Sequence, residues 1–212
     1  MSFLNFLKQP LGMALFNLYT RLVHGIHFHI LTADDKQSLF RFRFHIYLGE
    51  GYIKAEDHPE QEFIDQFDPL SVNVVAIKKG EIIGACRLTY HSPLGLPTFN
   101  FFNVILPHGA QRQSFVEIGR FMVQPKYRGK SRIVSIGLVL QLIRFVRKDH
   151  SIQWLVGFTF EKIRLSFNDL FPFKLCPEKP LKPEHLKARN IIPGYWTKEN
   201  IHPVLGKSSD FI

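Results

Sequence analysis

Glu117 and Arg120 are the residues best placed for chemistry, because they stand three positions apart inside the apolar run "FVEIGRFMV" (115–123). A carboxyl group held among apolar neighbours has a raised pKa, and such a group can accept a proton near neutral pH. The alternative is a structural ion pair of Glu117 with Arg120 or with Arg87. The residue types alone leave both roles open.

A basic loop, "QPKYRGKSR" (124–132), follows this run and leads into a second apolar segment. The first backbone N–H groups of a helix are unpaired and attract anions. Gly129 permits close approach to the backbone, and Ser131 is a suitable N-cap residue. The positive charges of the loop are Lys126, Arg128, Lys130 and Arg132. The loop therefore predicts a phosphate-binding site, with a solvated basic turn as the alternative.

The elements that would position these residues follow from hydrophobic periodicity and turn signals. A strand at 115–123 enters the loop, a helix at 132–150 leaves it, and a hairpin at 71–91 turns at Lys79–Gly80. Further predictions are a strand at 27–31, a helix at 33–48, a strand at 152–160 and a short helix at 161–171, with 92–114 irregular and 172–212 unassigned. This order predicts an α/β fold of the α+β type, whose mixed, mostly antiparallel sheet is flanked by helices.

Composition limits the partners and the compartment. The 212 residues carry a net charge of +9, which favours acidic partners such as nucleic acid, anionic lipid or an acidic protein. Neither Cys86 nor Cys176 belongs to a CxxC pair, as expected for a reduced, cytoplasmic protein.

The N-terminus is predicted to form an amphipathic helix within residues 1–25, and residues 26–212 are predicted to form a single domain. One helical face carries Leu11, Ala14, Leu15, Leu18 and Leu22. We interpret this helix as packing on the domain, and contact with a membrane surface or a partner is the alternative. No segment is long and apolar enough to span a bilayer.

The segment that begins at Val123 and runs through the 132–150 helix resembles the acyl-donor-binding segment of the GCN5-related N-acetyltransferase superfamily. The usual loop of that superfamily reads Arg-Gly-x-Gly-x-Gly/Ala. This chain keeps Arg128, Gly129 and Lys130 but has Ser131 and Ile133 where the pattern has small glycines. The departure points away from coenzyme A as the acyl donor.

Four motifs in one order resemble a branch of that superfamily. They are "RFHIY" (43–47), "EFIDQFD" (62–68), "GACRL" (84–88) and "VEIGRFMV" (116–123). The branch contains the acyl-homoserine-lactone synthases, and the motifs are still more similar to N-acyl amino acid synthases and exosortase-associated acyltransferases. The residues that match are Arg43, Tyr47, Asp65, Asp68, Arg87, Glu117 and Arg120.

The resemblance implies an enzyme that moves a long-chain acyl group from acyl carrier protein to an amino acid or a similar amine, giving an N-acyl amino acid. The donor would be acyl-phosphopantetheine on the carrier protein, with acyl-CoA as a second possibility and no permanently bound cofactor. Tyr52 lies near a position that is usually Trp in the lactone synthases, which disfavours that activity. A lactone synthase, an acetyl-CoA-dependent N-acetyltransferase and a non-catalytic basic module that binds membrane or nucleic acid remain the alternatives.

Each residue of the predicted site has a proposed role. Glu117 would take a proton from the amine with Arg120 beside it, and a backbone amide near Phe121, Met122 and Val123 would stabilise the oxyanion. Arg43, Asp65, Asp68 and Arg87 would bind the acceptor: the aspartates contact its ammonium group, and Arg87 contacts its carboxylate. Alternatively the aspartates pair with Arg43 and order their loop. The Phe residues within 99–102 line an acyl channel or fill the core.

The remaining predictions concern partners. A docking face for the acidic carrier protein is predicted from Lys126, Arg128, Lys130, Arg132, Arg144, Arg147 and Lys148. The acyl-donor-binding residues are predicted to be Phe121, Met122, Val123, Arg128, Gly129, Lys130, Ser131 and Arg132. His27 and His29 would share one side of a strand, but without accompanying ligands they predict no metal site. No nucleic-acid-binding motif is present, and a peripheral membrane location remains compatible with the enzyme.

Overall fold

In the described part of the chain, seven strands form one sheet in the order β1-β2-β3-β4-β5-β7-β6, and every neighbouring pair is antiparallel except β4 and β5. The computed structural model describes residues 6–7, 9–31, 36–128, 132–160, 174–175 and 191–197. The strands are β1 Ile26–Ile30, β2 Ser71–Lys78, β3 Glu81–Tyr90, β4 Phe115–Val123, β5 Trp154–Phe160, β6 Lys174–Leu175 and β7 Ile191–Thr197; the helices are α1 Pro10–His24, α2 Lys36–Gly49, α3 Pro97–Phe101 and α4 Ile133–Lys148.

The predicted fold class is confirmed, since this is a mixed, mostly antiparallel sheet with helices on both faces. The hairpin turns where predicted, because Lys79 and Gly80 both adopt positive φ angles of 51° and 79°. The sequence missed α3 in the Phe-rich segment and missed β7, whose Pro193 and Gly194 are unusual inside a strand. The short helix predicted at 161–171 lies outside the described residues.

The sheet separates two hydrophobic layers. On one face, α1 and α4 pack against residues such as Val74, Cys86 and Val116. On the other face, α2 packs against Val75 and Met122. A third cluster around Phe99, Phe102, Phe115 and Val156 joins α3 to β4 and β5. Helix α4 approaches β1 so closely that an added Cβ at Gly137 would lie 1.9 Å from the Phe28 ring.

Helix α1 packs on the sheet, but the face that packs differs from the predicted one. Its buried residues are Gly12, Met13, Phe16 and Thr20. The leucine face points away from the sheet, and Leu11, Leu15, Leu18 and Leu22 are exposed. The error arose because the helix is apolar on two sides, so that periodicity alone selected the more regular stripe.

The sheet divides at its parallel pair of strands, β4 and β5. The gap between these diverging strands is called here the split. Pairing of β4 with β5 covers only Phe115–Trp154, Val116–Leu155 and Glu117–Val156. Beyond Glu117, β4 continues to Val123 next to β3, while β5 continues next to β7. The edge of β4 that faces β5 is therefore unpaired by any described strand from Ile118 onward. This split opens on the face that carries α2 and α3.

Candidate active site

A β-bulge in β4 shapes the middle of the candidate site. Ala85 pairs with Met122 and Arg87 pairs with Gly119, so Cys86 alone lies opposite both Arg120 and Phe121. Arg120 adopts a φ of 51°, a conformation that costs a residue with a side chain roughly 1–2 kcal/mol. Bulges of this kind re-aim side chains next to active sites. Here the bulge lies just beyond the point where β4 and β5 separate.

Five residues form a continuous group of ion pairs between β3, β4 and α2, called here the ionic network: Arg43, Asp65, Asp68, Arg87 and Arg120. Arg43 donates two hydrogen bonds to the two carboxylate oxygens of Asp68, at 2.7 and 3.0 Å. Arg87 Nη1 donates to Asp68 Oδ1 at 3.0 Å and to Asp65 Oδ1 at 2.7 Å. Arg43, Asp68 and Arg87 are almost completely buried. The predicted pairing of an aspartate with Arg43 is thus present.

Arg120 connects this network to an aromatic wall. Its Nη2 donates to Asp65 Oδ2 at 2.6 Å, and its Nη1 donates to the Tyr47 hydroxyl oxygen at 2.9 Å. The guanidinium also lies 5.3 Å from the centre of the Tyr47 ring and 5.1 Å from that of Phe63. Side-chain exposure is 27% for Arg120 and 17% for Asp65, which makes them the solvent-facing members of the network.

Asp65 remains charged at neutral pH. Burial alone would raise the pKa of Asp65, but the hydrogen bond and charge of Arg87, together with those of Arg120, outweigh it and lower the pKa to about 2. For Arg120, burial disfavours the cation, yet Tyr47 and Asp65 raise its pKa. Asp68 has Arg43 and Arg87 as partners and also accepts the Asp65 backbone N–H at 2.8 Å.

Glu117 lies at the split between β4 and β5. Within the described residues, its carboxyl group has no arginine or lysine partner. Its Oε2 accepts the backbone N–H of Thr98, at the start of α3, at 2.6 Å. The described carboxylates within salt-bridge distance of Arg87 and Arg120 are those of the two aspartates, so neither predicted ion pair with Glu117 forms. Burial raises the pKa of Glu117 to about 7, against the lowering effects of Thr98 and of the more distant arginines.

The free edge of β4 presents backbone groups to the split. Gln124 N–H donates to Ile83 C=O of β3 at 2.9 Å. Because successive residues of a strand direct their backbone groups to opposite edges, Val123 directs its N–H and C=O away from β3. Consistent with this, Arg128 Nε donates to Val123 C=O at 2.6 Å. Phe121 and Val123 face the layer that contains α4, whereas Met122 packs under α2.

The basic loop is described only in part. Gly129, Lys130 and Ser131 lie outside the described residues. The centre of the predicted phosphate-binding site therefore lies outside them as well. The N-cap residue of α4 is Arg132, with a φ of 47° and no side-chain cap. Arg128 pairs with Glu50, which follows α2.

The predicted docking face is divided by α4. Lys126, Arg128 and Arg132 precede the helix, whereas Arg144, Arg147 and Lys148 belong to its C-terminal part. The rise along an α-helix places Arg132 and Lys148 about 24 Å apart. These residues therefore form two basic groups at opposite ends of α4 instead of one face.

The phenylalanines of α3 reach toward the split. Phe99 and Phe102 are buried against Phe115 and Phe158, with ring centres 5.4 and 5.5 Å apart. Phe101 is only partly buried and contacts Phe158 edge to face. Phe99 and Phe102 therefore supply core packing, as one of the two predicted roles required.

Sequence reasoning missed Thr98 and Phe63. Thr98 acts through its backbone N–H, which any residue type supplies, so no side-chain signal identified it. Phe63 lies inside the "EFIDQFD" motif, and its position before Asp65 was the available signal.

His27 and His29 stack with ring centres 6.1 Å apart, as their shared side of β1 predicted. Within the described part of the chain, no group of three or more His, Cys, Asp or Glu side chains is arranged to hold a metal ion. None of the described helices has the length and hydropathy needed to cross a membrane.

Comparison with known proteins identifies the relatives of this chain. Residues 38–188 match the sequence model of the family described as N-acyl amino acid synthase FeeM. No curated protein matches significantly.

Solved structures share the fold. FeeM itself, an N-acyl amino acid synthase from uncultured soil microbes, superposes with a TM-score of 0.59 at 16% identity, covering 82% of this chain and 90% of FeeM. The CoA-dependent acyl-homoserine lactone synthase MesI gives 0.58 at 20% identity, covering 86% and 96%. A GNAT-family acetyltransferase from Staphylococcus aureus gives 0.52 at 16%, covering 82% and 99%. The resemblance expected from the four motifs is confirmed.

Proposed function

Because this chain belongs to the N-acyl amino acid synthase FeeM family, and is thus an acyltransferase, we propose that it transfers a long-chain acyl group from acyl carrier protein to an amino acid. The product would be an N-acyl amino acid. The observation that supports the proposal within this chain is Glu117, a buried carboxyl group at the split between β4 and β5 that has no cationic partner among the described residues.

Glu117 is the proposed general base. The acceptor, bound as an ammonium ion, first releases one proton to water. The neutral amine then attacks the thioester carbonyl carbon, and a second proton passes from its nitrogen to the Glu117 carboxylate directly or through one water molecule. Collapse of the tetrahedral intermediate breaks the C–S bond, and the departing thiolate takes the proton back from Glu117. The products are one amide and one thiol. A pKa of about 7 suits both halves of this cycle, because the group gains and loses the proton near neutral pH.

The thioester is proposed to lie along the free edge of β4. Val123 directs its N–H toward the side where β5 has diverged, and a backbone N–H there would stabilise the oxyanion. Phe121, Val123 and Met122 would form the walls along the acyl-phosphopantetheine arm. The partly buried rings of Phe101 and Phe158 offer an apolar surface for the acyl chain beyond the reacting carbon.

The acceptor is proposed to bind at the solvent-facing end of the ionic network. Asp65 carries the charge needed to attract an ammonium group, and Arg120 carries the charge needed to attract a carboxylate. Arg43, Asp68 and Arg87 are too deeply buried to meet a dissolved acceptor, and we assign them to holding Asp65 and Arg120 in position.

The carrier protein is proposed to approach the basic group at the start of α4. These are Lys126, Arg128 and Arg132, which stand between β4 and α4, and Arg128 contacts the free edge of β4 at Val123. Their positive charge matches an acidic partner. The absence of the small glycines at Ser131 and Ile133 disfavours coenzyme A. Acyl-CoA is the alternative donor, and a lactone synthase is the alternative enzyme.

An acyl-transfer assay with the purified protein would test the proposed reaction. One acyl chain would be presented as acyl carrier protein thioester or as acyl-CoA, with a mixture of amino acids or with S-adenosylmethionine, and products would be identified by mass spectrometry. We expect N-acyl amino acids from the carrier-protein thioester and a loss of at least ~100-fold in rate with Glu117→Gln. Lactone products, preference for acyl-CoA, or equal rates for both proteins would each overturn the corresponding element of the proposal.

The docking group is tested with two matched charge reversals. Lys126→Glu should weaken carrier-protein binding and raise the KM for the acyl-carrier donor, more strongly at low salt. Lys148→Glu makes the same charge change at the far end of α4 and should leave that KM unchanged. Equal effects of the two substitutions would contradict docking at the start of α4.

A further inference from the structure

Helix α1 exposes a stripe of four leucines, Leu11, Leu15, Leu18 and Leu22, called here the leucine stripe. Their exposed fractions are 64%, 48%, 52% and 73%. The spacing of four, three and four residues places them on one line along the helix. The buried residues Met13, Phe16 and Thr20 lie on the opposite side. The stripe is therefore not needed for packing α1 on the sheet.

Contiguous exposed apolar surface of this kind marks an interaction site. Tyr19, half exposed, borders the stripe on one side, and the exposed Val23 follows Tyr19 one turn later on the same margin. A tyrosine at the margin of an apolar face suits an interface between hydrocarbon and water, because the ring is apolar and the hydroxyl is polar. The composition of this face alone does not distinguish a lipid surface from a protein.

The charge around the leucine stripe distinguishes a lipid surface from a protein partner. Neither α1 nor α4 contains an Asp or a Glu, and α4 packs beside α1 through the Gln141 Nε2 to Asn17 Oδ1 hydrogen bond of 2.9 Å. Arg21 follows Asn17 by one helical turn, and Arg144 follows Gln141 by about one turn, so each lies about 5–6 Å along its helix from this contact. Both arginines are exposed.

Besides Arg21 and Arg144, Lys148 at the end of α4 is also basic and exposed. The nearest acidic residue along α4 is Asp149, which accepts the hydroxyl of Tyr90 at 2.6 Å and that of Ser151. The leucine stripe is thus bordered by cations. A two-fold dimer through the stripe would bring the arginines of two copies together without compensating acids. A negatively charged surface has the matching charge.

We propose that α1 docks this protein on an anionic lipid surface, with the leucine stripe inserted among the acyl chains and Arg21, Arg144 and Lys148 at the headgroups. This is the arrangement of an interfacial amphipathic helix. It leaves the basic group at the start of α4, about 24 Å along that helix from Lys148, to a different partner. If the proposed function holds, a lipophilic product would also be released next to the membrane.

Vesicle co-sedimentation of the full chain tests the proposal. The probes are phosphatidylcholine vesicles with and without about 30% phosphatidylglycerol, at low and high salt. We expect binding only to the anionic vesicles and at least ~10-fold weaker partitioning for the double variant Leu15→Gln/Leu18→Gln. The matched control is Ile105→Gln, since Ile105 is 73% exposed on a different part of the chain and should leave binding unchanged. Arg144→Glu should also weaken binding, whereas Lys126→Glu should not.

Three results would overturn the proposal: no binding of the wild type, equal binding of wild type and double variant, or a concentration-dependent dimer that the double variant abolishes. Acyl transfer without vesicles should be the same for wild type and Leu15→Gln/Leu18→Gln, because α1 contributes no residue to the active site. A failed vesicle experiment would therefore leave the proposed function intact, and an inactive enzyme would leave the vesicle result intact.

Discussion

Asp68 and Glu117 are both buried acidic residues on the same face of the sheet, yet their surroundings differ. Asp68 contacts two arginines and a backbone N–H, which together compensate its charge. Glu117 receives one backbone N–H from Thr98 and has no cation within salt-bridge distance among the described residues. Burial is nearly the same for both side chains.

The difference separates two uses of a buried carboxyl group. A carboxylate with full compensation fixes the side chains around it, as Asp68 fixes Arg43 and Arg87. A carboxyl group with partial compensation has a raised pKa and can exchange a proton near neutral pH. Asp65 is intermediate, because it is fully paired but also reaches solvent.

The largest effect is expected at Asp68. Asp68→Ala leaves the buried Arg43 guanidinium without its carboxylate and leaves Arg87 with that of Asp65 alone. Removal of one partner from a buried pair costs about 3–5 kcal/mol of unfolding free energy. Urea titration measures the loss. The control is Glu56→Ala, which removes the Lys54–Glu56 pair, exposed by 72% and 74%, and should change stability by less than about 0.5 kcal/mol. Similar losses in both variants would contradict the distinction between buried and exposed pairs.

A smaller change in unfolding free energy, this time a stabilisation, is expected from Glu117→Gln. The folded chain keeps this proton up to about pH 7, whereas the unfolded chain releases it above its ordinary pKa of 4.5, so wild-type stability falls as pH rises across that window. Glu117→Gln removes this dependence. The unfolding free energy of the variant minus that of wild type should therefore increase by on the order of 3 kcal/mol from pH 4 to pH 8. Parallel stability curves for the two proteins over this range would show that the pKa is not raised.

The smallest effect is expected at Asp65. Asp65→Asn keeps the shape of the side chain and weakens the bonds from Arg87 and Arg120, at a cost of about 1–2 kcal/mol at pH 7. Because the pKa of Asp65 is lowered to about 2, its contribution is present at neutral pH and is lost as pH falls from about 4 to about 2. The stability difference between wild type and variant should therefore shrink below pH 4. A difference that stays constant down to pH 2 would contradict the assigned charge.

The sequence predicted the central part of the fold well. The strand at 115–123 has the predicted bounds, and the hairpin turn lies at the predicted residues, because apolar runs and a Gly-containing turn are local signals. Helix α1 shows the limit of such signals. Its two apolar faces have similar periodicity, and the contacts made by Met13 and Phe16 decide which one is buried.

The candidate site was predicted as a set of residues but not as an arrangement. The motifs identified Asp65, Asp68 and Arg87 without showing which of them reach solvent, since that depends on how α2 covers the sheet. The absence of an ion pair at Glu117 also could not be read from the sequence, because the bulge at Arg120 turns that guanidinium toward Tyr47. Tertiary geometry, and not residue type, assigned these partners.

The pH dependence of acyl transfer tests the role of Glu117 most directly. Initial rates with a fixed acyl-carrier donor would be measured from pH 5 to pH 9 for wild type and Glu117→Gln. The account predicts that wild-type kcat/KM rises through an apparent pKa near 7, and that the variant is slower by at least ~100-fold and lacks this rise. A variant with wild-type rates and the same rise near pH 7 would contradict the assignment of Glu117 as the base.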